Sequence, residues 1–403
     1  MSNRRASMAF ILVTLFLDIL GIGIVIPVLP HLVTDMLGGN ESLAASYYGA
    51  IAGSYALMQF LFAPVLGALS DRFGRRPVLL ISLFGFGVNY LLTAVAPNVY
   101  WLFLARIVSG IMGASFTTVN AYIADISTPE NRAQNFGLVG AAFGLGFIFG
   151  PALGGVLGNI GPRVPFYVSA GVVLLNWLYG LFVLPESLPK DHRRKFTLRE
   201  GNPLGGLLRL KRFPSVQELA MAFVFVALAQ RGLETVWVLY TQHRYGWNEL
   251  QNGMSLALVG IMAAIVQGGL IRRVVPKWGE KRSVRIGLLV SALAFIAYGL
   301  APTGASVIPI IVVGAIGGIA GPTIQGLVTG AVDPSQQGAV QGALTSLTSL
   351  SAILAPLLST QLFRYFTSET APLQLPGAPF FLGSAFMMGA LFIAVHATRN
   401  RAA

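Results

Sequence analysis

The chain of 403 residues is too apolar for a soluble domain, because 55% of its residues are hydrophobic and only 10% are charged. Its 27 Lys and Arg outnumber its 15 Asp and Glu, which gives a net charge of +12. Such a charge is compatible with nucleic-acid binding, so the distribution of the charges has to decide. The sequence contains no cysteine, which excludes disulfides and thiolate metal sites.

Apolar runs of membrane-spanning length recur along the whole sequence. A spanning helix needs about 20 mostly apolar residues, and we predict twelve spans. They lie at residues 8–29, 44–68, 77–96, 99–123, 135–158, 164–184, 217–241, 250–273, 282–301, 304–331, 337–366 and 377–397. The first run is too long for a signal peptide and carries Asp18, so we interpret it as a membrane helix. The predicted fold class is an all-α membrane protein with twelve transmembrane helices.

The positive charges collect on one side of these spans. If successive spans alternate in direction, 22 of the 27 Lys and Arg lie in one compartment, and the positive-inside rule identifies it as the cytoplasm. Both termini are then cytoplasmic. The net charge therefore reflects membrane topology, and we expect the lipid bilayer, not nucleic acid, to surround this protein.

An internal repeat divides the spans into two sets of six. Three markers recur at a constant offset of 205 residues: Pro129 as Pro334, Gly137 as Gly342 and Pro151 as Pro356. Two repeated bundles favour alternating access over a static receptor. The predicted parts are an N-terminal six-helix bundle at 1–184, a cytoplasmic linker at 185–216 and a C-terminal six-helix bundle at 217–403.

A short segment between the second and third spans packs charge densely. Its chemistry-bearing residues are Gly67, Asp71, Arg72, Gly74, Arg75 and Arg76. Charges this dense cannot lie in hydrocarbon, so residues 67–77 are predicted to form a tight, water-facing hairpin whose glycines permit the turn. Asp125, at the end of the fourth span, is the candidate partner of the arginines. A simple topology anchor is the alternative.

Ionisable residues inside membrane spans are costly and therefore candidates for function. The sequence has four: Asp18, Arg106, Arg231 and Glu234. Arg231 and Glu234 are three residues apart on one helix face and can pair, so a self-neutralised structural pair is the alternative to a coupling site. Burial disfavours the charged form of a carboxyl group, which makes Asp18 the candidate proton carrier. For Arg106 the alternative is a charge that merely pairs with Asp18 or Asn89.

Several segments together resemble one family of transporters. They are residues 17–23, 27–30, 55–59, 71–80, 143–151, 235–239, 245–248 and 278–281. They resemble the tetracycline-efflux branch of the drug:proton antiporters of the major facilitator superfamily. The resemblance implies a major facilitator fold of two pseudo-symmetric bundles in a bacterial inner membrane. It also implies a cytoplasmic latch at residues 67–77 and antiport that confers tetracycline resistance.

The fifth span is unusually rich in small residues. The resemblance assigns it the antiporter motif of the superfamily, made here by Gly146, Gly150, Pro151, Gly154 and Gly155. From the residues alone, this pattern indicates only that another helix packs very close. Departures from the branch lie near Asn89, Ala263 and Ser291, where the resembled proteins carry two acids and a histidine. We interpret these departures as altered specificity or coupling.

The predicted function is proton-coupled export of a small amphipathic, drug-like compound by a monomer. Candidate cavity residues are polar or aromatic: Gln59, Asn89, Asn120, Gln230, Trp237, Gln267 and Gln325. The alternative is a proton-coupled or passive importer of a small metabolite with the same fold. A non-transporting receptor is a further alternative. We expect no enzyme activity and no cofactor, because the sequence shows no nucleophile–base set, metal cluster or phosphate-binding loop.

Overall fold

The computed structural model describes residues 8–128, 131–193, 214–333 and 336–399. Within these ranges, twelve helical segments are long and apolar enough to cross a membrane, so the predicted number of spans is confirmed. Pro129, Pro334 and most of the predicted linker lie outside the described residues.

Most spans are single helices, and four are interrupted. The first six consist of Met8–Val25 with Leu29–Met36, Glu41–Phe73, Arg75–Ala94, Val99–Gly113 with Phe116–Ile126, Arg132–Ile160 and Val164–Val183. The last six consist of Pro214–Tyr245, Glu249–Ile265 with the π-helix Val266–Leu270 and Ile271–Trp278, Glu280–Leu300, Gly304–Gly314 with the 3₁₀-helix Ala315–Ile319 and Ala320–Thr329, Gln337–Thr367, and Ala378–Arg399. A short 3₁₀-helix, Lys190–His192, follows the sixth span.

The charged segment after the second span is more helical than predicted. The second span continues to Phe73 and the third begins at Arg75, so Gly74 alone separates the two helices. Gly74 has a φ of 105°, a conformation that residues with a Cβ rarely adopt. The hairpin predicted for residues 67–77 is thus a one-residue turn, because amphipathic helix ends can carry charge outside the hydrocarbon.

The first span also extends further than predicted. A break between Val25 and Leu29 separates its two helices, and the second helix runs to Met36. Pro27 lies within this break, and Pro30 is the second residue of the following helix. Proline lacks the N–H that helical bonding needs, so the irregular turn follows from the sequence, while the continuation to Met36 does not.

The chain forms two compact units, and each contains a piece from the other half of the sequence. Unit 1 comprises Met1–Met36, Ser54–Pro203 and Asn248–Ala257. Unit 2 comprises Leu37–Gly53, Leu204–Trp247 and Leu258–Ala403. The predicted division of the sequence into two six-helix bundles joined by a linker stays a prediction. In terms of packing, the second and eighth spans are each shared between the units.

Candidate functional site

Asp18 lies in the middle of the first helix and inside unit 1. This helix, Met8–Val25, packs against the fifth and sixth spans. Only 5% of Asp18 is exposed. Its Oδ1 is buried and has no hydrogen-bond partner among the described residues. An unpartnered buried oxygen is costly, which makes this carboxyl group a candidate for chemistry and not for packing.

The sixth span holds the first helix on both sides of Asp18. Asn176 Nδ2 donates to the backbone carbonyl of Thr14 at 2.8 Å, and Ser169 Oγ donates to that of Gly21 at 3.1 Å. Both donor residues are fully buried. Asp18 therefore sits on a helix whose position is fixed by two polar contacts between spans.

Arg106, the other ionisable residue of unit 1 that the sequence places inside a membrane span, does not pair with Asp18. Arg106 is half-buried, and the described residues contain no ion pair between the two. Tyr90, on the third span, lies within electrostatic range of both. Asn89 is 2% exposed and donates from Nδ2 to Ser109 Oγ at 2.5 Å. Asn89 therefore binds the fourth span, and pairing with Arg106 is not its role here.

The glycines of the fifth span form the contact with the first helix. A Cβ added to Gly150 would lie 2.7 Å from the Cα of Gly23, and one added to Gly23 would lie 3.2 Å from Cδ of Pro151. Ile19 covers Gly146 and Ile24 covers Gly154 in the same way. The predicted small-residue motif thus removes the side chains that would keep these two helices apart.

The next glycine of the motif faces a different partner. A Cβ at Gly155 would lie 2.6 Å from the carbonyl oxygen of Glu249 and 3.1 Å from the Cα of Gly253. Both belong to the part of the eighth span that is included in unit 1. The fifth span therefore packs closely against two helices at once.

Arg75 is the centre of the charged cluster at Gly74. Its side chain is 9% exposed and bonds three residues: Asp71 at 2.5 Å, Asp125 at 3.1 Å and Ser70 at 2.6 Å. The structure brings Asp71, Arg75 and Asp125 together as the sequence predicted. Because each contact is charge-assisted or buried, the cluster ties the start of the third span to the end of the fourth.

Glu186 completes this cluster and was missed by the sequence reasoning. Its carboxylate accepts the backbone N–H groups of Arg75 at 2.8 Å and Arg76 at 3.3 Å. It also accepts those of Ser187 at 3.0 Å and Leu188 at 3.1 Å. The acid therefore caps the positive end of the third span. Its sequence signal is an acid directly after an apolar span on the basic side of the membrane.

The remaining residues of the predicted latch play separate parts. Arg76 donates from Nη2 to the carbonyl of Leu181 at 2.6 Å. Arg72 is exposed and lies over the ring of Phe73 at 5.0 Å, outside the cluster. Gly67 faces Thr117, whose Oγ1 would lie 3.9 Å from an added Cβ, so space at Gly67 is ample.

Unit 2 contains the predicted charged pair of the seventh span. Arg231 Nη1 and Glu234 Oε2 are 2.8 Å apart, and their side chains are 48% and 56% exposed. Thr235 bonds the carbonyl of Arg231, and Gly232 lies against Ser359 of the eleventh span. The pair is therefore accessible, unlike Asp18.

The predicted cavity residues differ widely in accessibility. Asn120 and Gln267 are exposed, and Gln59, Gln230 and Gln325 are half-buried. Gln59 donates to the carbonyl of Gly113 at 3.2 Å, where the fourth span is interrupted. Trp237 is only 3% exposed and packs edge-on against Tyr298 and Phe380. Substrate contact at these residues stays a prediction.

The family of this chain follows from its similarity to known proteins. A model described as Major Facilitator Superfamily matches residues 11–356. The chain is 41% identical over 353 residues to tetracycline resistance protein, class C, of Escherichia coli, and the match covers 88% of each chain. The chain belongs to the tetracycline resistance branch of the Major Facilitator Superfamily. The resemblance that the motifs predicted is confirmed.

Other relatives lie in the same branch or near it. The chain is 37% identical over 362 residues to tetracycline resistance protein, class B, of Escherichia coli, covering 90% of this chain and 89% of that one. Multidrug resistance protein 2 of Bacillus subtilis (strain 168) is 31% identical over 301 residues, covering 73% and 74%. Membership of this branch supports the function predicted from the sequence, which is proton-coupled drug efflux. It gives no support to the alternative, import of a metabolite.

Solved structures confirm the fold over almost the full length. The human organic anion transporter MFSD10 (TETRAN) matches with a TM-score of 0.70 at 24% identity and covers 98% of this chain and 100% of its own. A bacterial homolog of the human lysosomal transporter Spinster, in an inward-facing and occupied conformation, matches with a TM-score of 0.79 at 16% identity. That match covers 97% of this chain and 96% of the other. The major facilitator fold predicted from the sequence is thus established for this multi-pass membrane protein.

Proposed function

We propose that this transporter exports a tetracycline-like, amphipathic compound from the cytoplasm and admits a proton on Asp18 in each cycle. The observation that carries the proposal is the buried, unpartnered carboxyl oxygen of Asp18. A carboxyl group in this position can be neutral or charged, and each state has a different energy in a low-dielectric bundle. Loading and release of a proton there can bias alternating access.

The Arg231–Glu234 pair supplies a second candidate coupling site. Both side chains are about half exposed, so solvent or substrate can reach them. Protonation of Glu234 would leave Arg231 positive and open to an anionic group of the cargo. If the ion pair is purely structural, this second coupling site does not exist.

The charged cluster at Gly74 acts, in this proposal, as a latch of the cytoplasmic side. Its acids come from three places in the chain, and Arg75 joins Asp71 to Asp125. We propose that the protein is a monomer in a bacterial inner membrane. Both termini lie in the cytoplasm in this proposal, because the basic residues concentrate on that side of the membrane.

The relatives supply the cargo class. Several are named tetracycline resistance proteins, and two are named multidrug resistance proteins of Bacillus subtilis. The departures at Asn89 and Ser291 bear on specificity, because an amide and a hydroxyl cannot ionise in the working range of pH. We therefore include metal-free and uncharged compounds among the candidate cargoes.

Proton release on substrate binding tests the proposal directly. Purified protein in weakly buffered detergent is mixed with tetracycline, with and without magnesium, and with a panel of cationic dyes and antibiotics, while pH is recorded. Substrate-triggered proton release is expected from the parent and from Asp35→Asn, which alters an exposed acid of the same span. It is expected to vanish in Asp18→Asn.

Binding without proton release in the parent would contradict antiport. Equal release from Asp18→Asn and the parent would instead move the coupling site away from the first span. In that case the same measurement on Glu234→Gln decides whether the seventh span carries the proton.

A further inference from the structure

The side chain of Asn176 bonds the backbone carbonyl that also accepts the backbone N–H of Asp18. Asn176 is 0% exposed, and its Nδ2 donates to the carbonyl oxygen of Thr14 at 2.8 Å. In an α-helix, the carbonyl of residue i accepts the N–H of residue i+4. The helix Met8–Val25 contains both residues, so the carbonyl of Thr14 also serves the N–H of Asp18. The Asn176 side chain therefore reaches the helical turn that ends at Asp18.

The side chain of Asp18 leans toward this same turn. In an α-helix every Cα–Cβ bond tilts toward the N-terminus, so a side chain covers the turn that precedes its own Cα. For Asp18 that turn begins at Thr14. The amide of Asn176 and the carboxyl group of Asp18 consequently share one side of the first helix.

Both side chains keep a buried oxygen that no donor satisfies. Asp18 Oδ1 and Asn176 Oδ1 have no hydrogen-bond partner among the described residues. An ionised carboxylate and an amide oxygen are both acceptors, so they cannot satisfy each other. A single proton on the carboxyl group turns it into a donor and removes the conflict, whereas a buried acceptor without a donor is costly.

We propose that Asn176 is a positioning residue for the coupling proton, with its amide oxygen accepting the hydrogen bond of the protonated Asp18 carboxyl group. The Asn176 N–H fixes the first helix through Thr14, and its oxygen holds the proton in place. While this hydrogen bond exists, the proton remains bonded to the Asp18 carboxyl group, and Asn176 takes none. This inference rests on the proposed role of Asp18 as proton carrier.

Few other charged groups face Asp18 from the helices packed around it. Residues Gln134–Ile160 of the fifth span and Val164–Val183 of the sixth contain no charged residue; Arg132 is the first residue of the fifth-span helix. Tyr90 of the third span lies within electrostatic range of both Asp18 and Arg106. Asp125 of the fourth span is held by Arg75. The uncharged amide of Asn176 is thus the partner that the sixth span offers to a protonated carboxyl group.

Infrared titration of Asp18 tests this role separately from transport. The carbonyl stretch of the protonated carboxyl group is followed against pH in the purified protein, and the band that disappears in Asp18→Asn is assigned to Asp18. Asn176→Leu removes the acceptor at similar volume. In this variant the titration midpoint of the Asp18 band is expected to move about one pH unit toward acid, because loss of a hydrogen bond to the neutral form favours the charged form. Asn176→Ala is expected to give the same direction if the leucine variant does not fold.

Ser169→Ala is the matched control, because it also removes a buried hydrogen bond from the sixth span to the first. Its midpoint is expected to match that of the parent. An unchanged midpoint in both Asn176 variants, or an equal shift in Ser169→Ala, would overturn the positioning role while leaving Asp18 as the carrier. A parent that shows no titrating Asp18 band would overturn the carrier role and this inference together.

Discussion

At the scale of single residues, Glu186 joins the charged cluster although it lies outside residues 67–77. Four backbone N–H groups point to one carboxylate, two of them at the start of the third span. Charge on this carboxylate also faces Arg193 at 3.8 Å. A negative group at a helix N-terminus is stabilising, so Glu186 caps the start of the third span at the turn made by Gly74.

Removing this charge is expected to destabilise unit 1. Glu186→Gln keeps the size but loses the charge-assisted bonds, and we expect a loss of about 1.5–3 kcal/mol, read as a lower melting temperature in detergent. Asp191→Asn, an exposed acid five residues later, is the control and is expected to melt like the parent. Equal melting of Glu186→Gln and the parent would show that Asp71 and Asp125 hold the cluster alone.

The Arg231–Glu234 pair poses the opposite case, since its side chains are about half exposed. Exposed ion pairs contribute about 0–1 kcal/mol. Glu234→Gln is therefore expected to keep the melting temperature nearly unchanged while it lowers proton-coupled transport in vesicles. Glu218→Gln, an exposed acid on the same helix, controls for loss of charge. Full transport in Glu234→Gln would identify the pair as structural.

At the scale of helices, the fifth span separates glycines that packing requires from glycines that it does not. Gly146, Gly150 and Gly154 lie against the first helix, whereas Gly137, Gly140 and Gly144 have nothing within 4 Å of an added Cβ. Both kinds belong to one glycine-rich sequence. Only the first kind is explained by close contact in this conformation.

This difference predicts unequal responses to alanine. Gly150→Ala places a methyl group 2.7 Å from the Cα of Gly23, and overpacking of this kind costs about 1–3 kcal/mol. We expect a lower melting temperature for this variant. Gly144→Ala, with open space around it, is expected to melt at or above the temperature of the parent, because alanine favours helix more than glycine does. If both variants melt at the same temperature, the contact between Gly150 and the first helix is unimportant for stability.

At the scale of the whole molecule, each compact unit needs a segment from the other half of the sequence. Asn248–Ala257 belongs to unit 1, where Glu249 approaches His31 at 3.9 Å and Gly253 meets Gly155. Leu37–Gly53 belongs to unit 2, where Glu41 bonds His243 and Ser42 bonds the carbonyl of Arg364. Neither unit is therefore encoded by one half alone.

Separate expression of the halves tests this interdependence. Fragments 1–203 and 204–403, each fused to a fluorescent protein, are expected to aggregate when expressed singly, because each lacks a segment of its own unit. Co-expression is expected to restore a single sharp peak on size-exclusion chromatography. A monodisperse 1–203 fragment as heat-stable as the full chain would contradict the shared construction of the units.

The sequence by itself determined the number of spans, the fold and the ionisable residues of the membrane interior. Hydrophobicity over about 20 residues is a local property, and an acid such as Asp18 stands out in an apolar run without any knowledge of its neighbours. The repeat was equally visible, and Pro151 and Pro356 both lie inside unbroken helices. These conclusions needed no contact between distant residues.

The tertiary structure decided which groups meet. Glu186 approaches Arg75 across 111 positions of sequence, and Asn176 reaches Thr14 across 162. Neither residue differs locally from an ordinary acid at a span end or an amide in a helix. Hydrogen bonds and helix contacts of this kind depend on the relative positions of whole spans. The helix periodicity of one segment does not contain that information, so the contact between Asn176 and the first helix could be found only in the folded chain.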